Sequence, residues 1–79
     1  MKKVTIYSTP ICHFCNLAKV FFKEHNIAYL EHNVAADMEK RKEMIEISGQ
    51  LGVPVITIDN DLFVGFNEPK VAALLGISA

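Results

Sequence analysis

The sequence predicts an α/β fold with the element order β-α-β-α-β-β-α. Three observations point to it. Short runs rich in Val and Ile, at Val4 to Tyr7 and Val53 to Ile58, have the length and composition of buried strands. Stretches with helical spacing and terminal caps, about His13 to His25 and Met38 to Ser48, separate them. The turn cluster Asp59-Asn60-Asp61 joins the third strand to a fourth, Leu62 to Phe66. The first half therefore reads as a parallel βαβ crossover and the second as an antiparallel hairpin with a closing helix.

In the first strand, Val4, Ile6 and Tyr7 suit a pleated surface. Ser8-Thr9-Pro10 ends it, because Pro10 lacks an N–H and biases Thr9 away from helix. In the first helix, Phe14, Leu17, Ala18 and Phe21 form one apolar stripe, widened by Val20 and Phe22, and Asn26 serves as a left-handed cap. Ile27 to Val34 reads as the second strand, with Ala28, Leu30 and Val34 on one face and Ile27 and Tyr29 on the other. Its polar Glu31, His32 and Asn33 place it at a sheet edge. Asp37 caps the second helix, Glu39 sits in its first turn, and Met38, Met44, Ile45 and Ile47 give it a weak stripe. Gly49 closes it. Asn60 is the residue expected to take a positive φ in the hairpin turn, and Gly65 allows close backbone approach near the end of the fourth strand. Asn67 caps the last helix, Pro69 falls in its first turn, and Gly76 ends it.

Seventy-nine residues supply one core, so residues 1–79 read as a single domain. A net charge of −1 offers nothing to nucleic acid. Met1-Lys2-Lys3 leads straight into a strand without the apolar stretch of a secretory signal, and no apolar run is long enough to cross a bilayer. A cytoplasmic address without membrane association is expected. Cysteine usage agrees: the only two, Cys12 and Cys15, lie three apart. A bridge over so short a loop removes little chain entropy, so the pair reads as redox-active or metal-binding rather than as a staple. It falls at a strand-to-helix turn, where helix N–H groups and the dipole favour a thiolate.

The element order, the stretch from Ile6 through Pro10 to Cys12-His13-Phe14-Cys15, the Gly52-Val53-Pro54 segment, Ile58-Asp59-Asn60 and the Val64-Gly65-Phe66 run together resemble the glutaredoxin family over the whole chain. The resemblance implies a thioredoxin fold: a four-stranded mixed sheet flanked by three helices. It also implies a thiol–disulfide oxidoreductase that reduces protein or mixed disulfides. Cys12 is then the exposed nucleophile, and Cys15, one turn inward, resolves the mixed disulfide. Val53–Pro54 is expected to be cis, leaving the Val53 backbone free to pair with an extended substrate. Thr9, Phe14, Gly65, Phe66 and Asn67 are candidate groove residues. Phe14 and Phe66 also suit the core, Phe66 being the better surface candidate, and Asn67 also suits a cap. His13, if protonated, supports the Cys12 thiolate; otherwise it is a solvated side chain. His25 and His32 read as surface residues.

Glutaredoxins that use glutathione carry a Lys where this chain has Thr9, and Gly-Gly followed by an acid where it has Gly65-Phe66-Asn67-Glu68. The Gly-Phe form resembles small redoxins that reduce ribonucleotide reductase and draw electrons from thioredoxin reductase. The expected partners are a disulfide-containing protein and either thioredoxin reductase or glutathione as donor, with the chain a monomer. No bound cofactor is expected; the redox group is the Cys12–Cys15 disulfide. The alternative is a metal or iron–sulfur cluster module built on the same cysteines. Zinc, however, wants four ligands, and no second Cys pair exists.

Overall fold

A computed structural model describes residues 2–77. The elements are β1 (Val4–Ser8), α1 (His13–Glu24), β2 (Leu30–Asn33), α2 (Met38–Ser48), β3 (Val55–Ile58), β4 (Asp61–Val64) and α3 (Glu68–Leu75). The sheet order is β2-β1-β3-β4, with β1 parallel to β2 and the other two pairings antiparallel. This is the predicted four-stranded mixed sheet with three helices, and β2 occupies an edge as its polar residues suggested.

Strand alternation divides the core. Val4 and Ile6 of β1 join Ile56 and Ile58 of β3 on one face, against Ala18, Phe21 and Phe22 of α1 and Val71 and Ala72 of α3. Tyr7 and Val55 point to the other face, against Met44 of α2 and Val34. All five β1 residues are buried, as befits a central strand covered on both sides.

The caps follow their local chemistry. The Oδ1 of Asp37 accepts from the Lys40 N–H at 3.1 Å, and that of Asn67 from the Lys70 N–H at 3.2 Å. Gly49 and Gly76 end their helices at positive φ. Asn26, at φ +56°, turns the chain out of α1 while the Ile27 N–H donates to the Phe22 carbonyl at 2.8 Å.

Several boundaries and faces differ from expectation. β2 begins at Leu30 rather than Ile27, because its parallel register starts at Thr5 with Leu30 and β1 itself starts at Val4. Ile27 and Tyr29 instead pack on the core from the connecting loop, Leu30 is exposed, and Val34 is buried just beyond the strand. β3 begins after Pro54, which has no N–H for the ladder. β4 stops at Val64, where Gly65 turns to φ +84°. In the hairpin, Asp59 and not Asn60 takes the positive φ. Asp59 is held there by Lys3, whose N–H donates to its Oδ1 at 2.8 Å and whose carbonyl accepts its N–H at 2.9 Å.

The largest correction concerns α1. Phe14, Leu17 and Val20 are exposed, and the line against the sheet is Cys15, Ala18 and Phe22 with Phe21 beside it. In α2 only Met44 is buried, while Met38 and Ile47 face outward. His32 is half-buried against the Tyr7 ring, 5.2 Å between centroids, rather than a free surface residue; His25 is exposed as expected.

Candidate active site at the Cys12–Cys15 turn

β1 delivers the chain into Thr9-Pro10, and the Cys12 N–H closes the turn on the Thr9 carbonyl at 3.3 Å. Cys12 is the N-cap of α1, with extended backbone at φ −82° and ψ 116°. Its Sγ accepts from the Cys15 N–H at 3.2 Å. A sulfur thus takes the place usually held by a cap oxygen, at the positive end of the helix dipole. The first turn contains no acid to oppose negative charge there. Cys12 is partly exposed and Cys15 is fully buried. The two sulfurs are bonded, with Cα atoms 5.2 Å apart, inside the ordinary disulfide range.

The facing wall comes from the loop before β3 and the end of β4. Val53–Pro54 is cis as expected. Pro54 is buried, and its carbonyl accepts the Gly65 N–H at 2.7 Å, locking the two segments together. A hollow of about 370 Å³ is lined by Phe14, Val53, Pro54, Val64, Gly65, Phe66 and Asn67. The structure therefore gathers most of the sequence-derived candidates. Thr9, His13 and both cysteines lie outside the lining, and Val64 was missed because it reads only as a strand residue.

The two phenylalanines exchange their expected roles. Phe14 is 56% exposed, whereas Phe66 is half-buried and packs on Phe21 with ring centroids 5.7 Å apart. Asn67 lines the hollow with its side chain already committed to capping α3. His13 is exposed and meets the Phe14 ring edge-on at 5.5 Å.

Two polar links behind the turn have no local sequence signal, because each joins separate elements. Buried Ser8 donates from Oγ to the Glu31 carboxylate at 2.9 Å, and Lys19 pairs with the same oxygen at 2.8 Å. The Lys19 hydrogen bond, against the opposing effect of burial and with help from Ser8, holds the Glu31 carboxyl below its usual range. On the other face, the Tyr7 hydroxyl donates to the Glu43 carboxylate. Burial first, and Glu43 second, push the Tyr7 phenol well above its ordinary value. The same hydrogen bond lowers Glu43.

Among the described residues, no three His, Cys, Asp or Glu side chains converge, so a zinc site within one chain lacks the donor set it needs. No helix among those residues is long and apolar enough to cross a membrane.

Comparison with known proteins places this geometry. The glutaredoxin family model matches residues 4–63. An uncharacterized glutaredoxin-like 8.6 kDa protein of the rubredoxin operon of Clostridium pasteurianum is 46% identical, covering 91% of this chain and 96% of that protein. The glutaredoxin-like protein NrdH of Lactococcus lactis is 38% identical, covering 90% and 97%. The crystal structure of a variant of the thioredoxin-like protein BC3987 superposes with a TM-score of 0.90 at 33% identity, covering 99% of this chain and all of that one. With its Cys-x-x-Cys pair within bonding distance on a thioredoxin-like fold, the chain belongs to the glutaredoxin family of thiol–disulfide oxidoreductases.

Proposed function

We propose that this protein reduces disulfides in protein substrates by a dithiol cycle in which Cys12 attacks and Cys15 resolves. The observation that carries the assignment is the capping geometry: partly exposed Cys12 Sγ accepts the Cys15 N–H at the start of α1. Once the disulfide is reduced, hydrogen bonding and the dipole at this position favour the thiolate over the thiol. The Cys12 thiolate attacks one sulfur of the substrate disulfide, forming a mixed disulfide and releasing the other sulfur as thiolate. Cys15 then loses its proton and attacks Cys12 Sγ. The second substrate thiolate leaves, and the Cys12–Cys15 disulfide holds the oxidising equivalents. Two electrons from a partner restore the dithiol. The Val53 backbone beside the hollow offers an edge for an extended substrate segment, and Thr9 and His13 border the same turn. The chain acts as a single domain and a monomer in the cytoplasm.

The donor we favour is thioredoxin reductase, with glutathione as the alternative. Thr9 supplies no cation for a glutathione carboxylate, and Gly65-Phe66-Asn67 supplies no acid for its amino group before Glu68. Phe66 is tied to the core and Asn67 to its cap, so neither side chain is free to take over that task. Similarity to a glutaredoxin-like NrdH protein supports the same choice. The deciding experiment measures disulfide turnover with NADPH and thioredoxin reductase against glutathione and glutathione reductase. Faster turnover with thioredoxin reductase is expected; turnover with glutathione alone overturns the donor assignment. Cys12→Ser abolishes turnover with either donor, and retained activity refutes the nucleophile.

A further inference from the structure

We propose that Gln50 is a positioning residue for disulfide exchange: by occupying both backbone polar groups of Gly52, its side-chain amide turns the Val53 backbone toward the substrate. This rests on the proposed pairing of Val53 with an extended substrate segment. Gln50 Nε2 donates to the Gly52 carbonyl at 3.0 Å, and the Gly52 N–H donates to Gln50 Oε1. Two residues facing each other in an antiparallel sheet exchange this same pair of bonds. The amide therefore stands where a neighbouring strand would otherwise pair. In an extended chain the N–H and carbonyl of successive residues face opposite edges. Val53 is biased to extended backbone by the proline that follows it. With Gly52 turned to Gln50, Val53 turns the other way. No hydrogen bond among the described residues takes the Val53 N–H or carbonyl.

The amide is itself anchored. Ser48 Oγ donates to the Met44 carbonyl at 2.6 Å and accepts from the Gln50 N–H and from Gln50 Nε2, each at 3.4 Å. Met44 is buried with Tyr7 and Val55, and Val53 packs on the same cluster. The loop is thus tied to the core at Met44 and again at Val53, with Gln50 between. A Cβ at Gly52 would lie 2.7 Å from Gln50 Oε1. The glycines at positive φ are Gly49, Gly65 and Gly76, so at Gly52 the crowding comes from the Gln50 side chain and not from a left-handed backbone. Both Gln50–Gly52 bonds are open to water and add little to stability. What they fix is the direction of the loop.

The test uses the full chain, reduced and freed of reductant, and two disulfide-linked dimers of a short cysteine peptide. One dimer carries N-methyl groups on the backbone amides flanking its cysteine. Methylation removes the N–H that donates to the Val53 carbonyl and leaves the disulfide in place. Wild type is expected to reduce the unmethylated dimer about five-fold faster, the worth of one hydrogen bond. Gln50→Ala should lower that rate by about the same factor and erase the difference between the dimers. Its rate on 5,5′-dithiobis(2-nitrobenzoate), which has no amide, should stay near that of wild type. Gly52→Ala, whose Cβ displaces the Gln50 amide, should behave alike, and the double variant should lose no more than either single one. A preference retained by Gln50→Ala overturns the role of Gln50, as do equal losses on the peptide and the nitrobenzoate, or additive losses in the double variant. Wild type without any preference refutes pairing at Val53, and the proposal with it. Cys12→Ser that reduces the peptides as fast as wild type refutes the nucleophile instead. Unchanged thermal unfolding is the folding control; if Gln50→Ala unfolds, Gly52→Ala, which keeps the Ser48 contact with the Gln50 N–H, gives the same comparison.

Discussion

Ser8 and Glu31 are joined side chain to side chain across the parallel β1–β2 pair, the Ser8 hydroxyl donating at 2.9 Å to a carboxylate that Lys19 of α1 also holds. One carboxylate therefore fastens the edge strand, the central strand and the active-site helix. The Ser8 hydroxyl has no exposure to water, so its only compensation for burial is this hydrogen bond.

Glu31 should make part of the stability pH-dependent. Its folded pKa lies below the unfolded one, first through the Lys19 hydrogen bond, with burial opposing, and Lys23 adding a weaker attraction. The contribution is therefore present above about 4.5 and is lost as pH falls through the folded value. The Glu31 side chain is 40% exposed, so screening keeps the ion pair to about 1 kcal/mol or less. Glu31→Gln should lower the melting temperature at pH 7 by a few degrees, with the gap to wild type closing below pH 4.5. A gap that stays constant with pH counts against the charge.

Tyr7 acts at the opposite end of the pH scale. Its folded pKa is raised, so its contribution is complete below about 10 and is lost as pH climbs above that value. Wild type should lose stability between pH 10 and 12 more steeply than Tyr7→Phe. At neutral pH the substitution should cost about 1 kcal/mol, the net value of a hydrogen bond whose acceptor stays accessible to water. Urea titrations at pH 8 and 11 separate the two effects.

Removing the resolving thiol should stall the cycle rather than abolish attack. Cys15→Ser is expected to accumulate a mixed disulfide on Cys12, visible by intact-mass analysis as the added mass of one substrate half. Cys12→Ser should show no such adduct. Adducts at Cys15 in the Cys12→Ser protein would reverse the assigned roles.

Asn67 has its side chain bound into α3, so replacing it tests structure before recognition. Asn67→Ala should cost about 1 kcal/mol through loss of the cap, and Asn67→Asp should keep most of that stability. If Asn67→Asp also keeps disulfide turnover, the side chain's contribution is the cap alone; a selective rise in KM would give it a role in the groove.

Legibility followed the range of the interactions. Asp37, Gly49, Asn67 and Gly76 were readable because a cap needs only its own turn. The Cys-x-x-Cys turn and Val53–Pro54 were readable because residue type and order carry them. The inward face of α1 was legible only in part: Ala18, Phe21 and Phe22 are core as expected and Cys15 lies inward, but Phe14, Leu17 and Val20, which look like core by size, are exposed. Only the path of the crossover decides between those faces. Asp59 displaced Asn60 at the positive-φ position because its partner, Lys3, lies at the far end of the chain. The Ser8–Glu31–Lys19 and Tyr7–Glu43 links are equally long-range, and no residue in either announces its partner.

The position of β1 at the centre of the sheet also governs when the protein can fold. One flank of β1 pairs with β2 soon after synthesis, but the other waits for β3, since Val4 pairs with Ile58. A chain emerging from a ribosome can assemble the βαβ half while the second flank of a wholly buried strand still lacks its ladder. Folding is thus held back until the hairpin emerges, and a nascent chain halted after α2 exposes an apolar strand edge prone to intermolecular pairing.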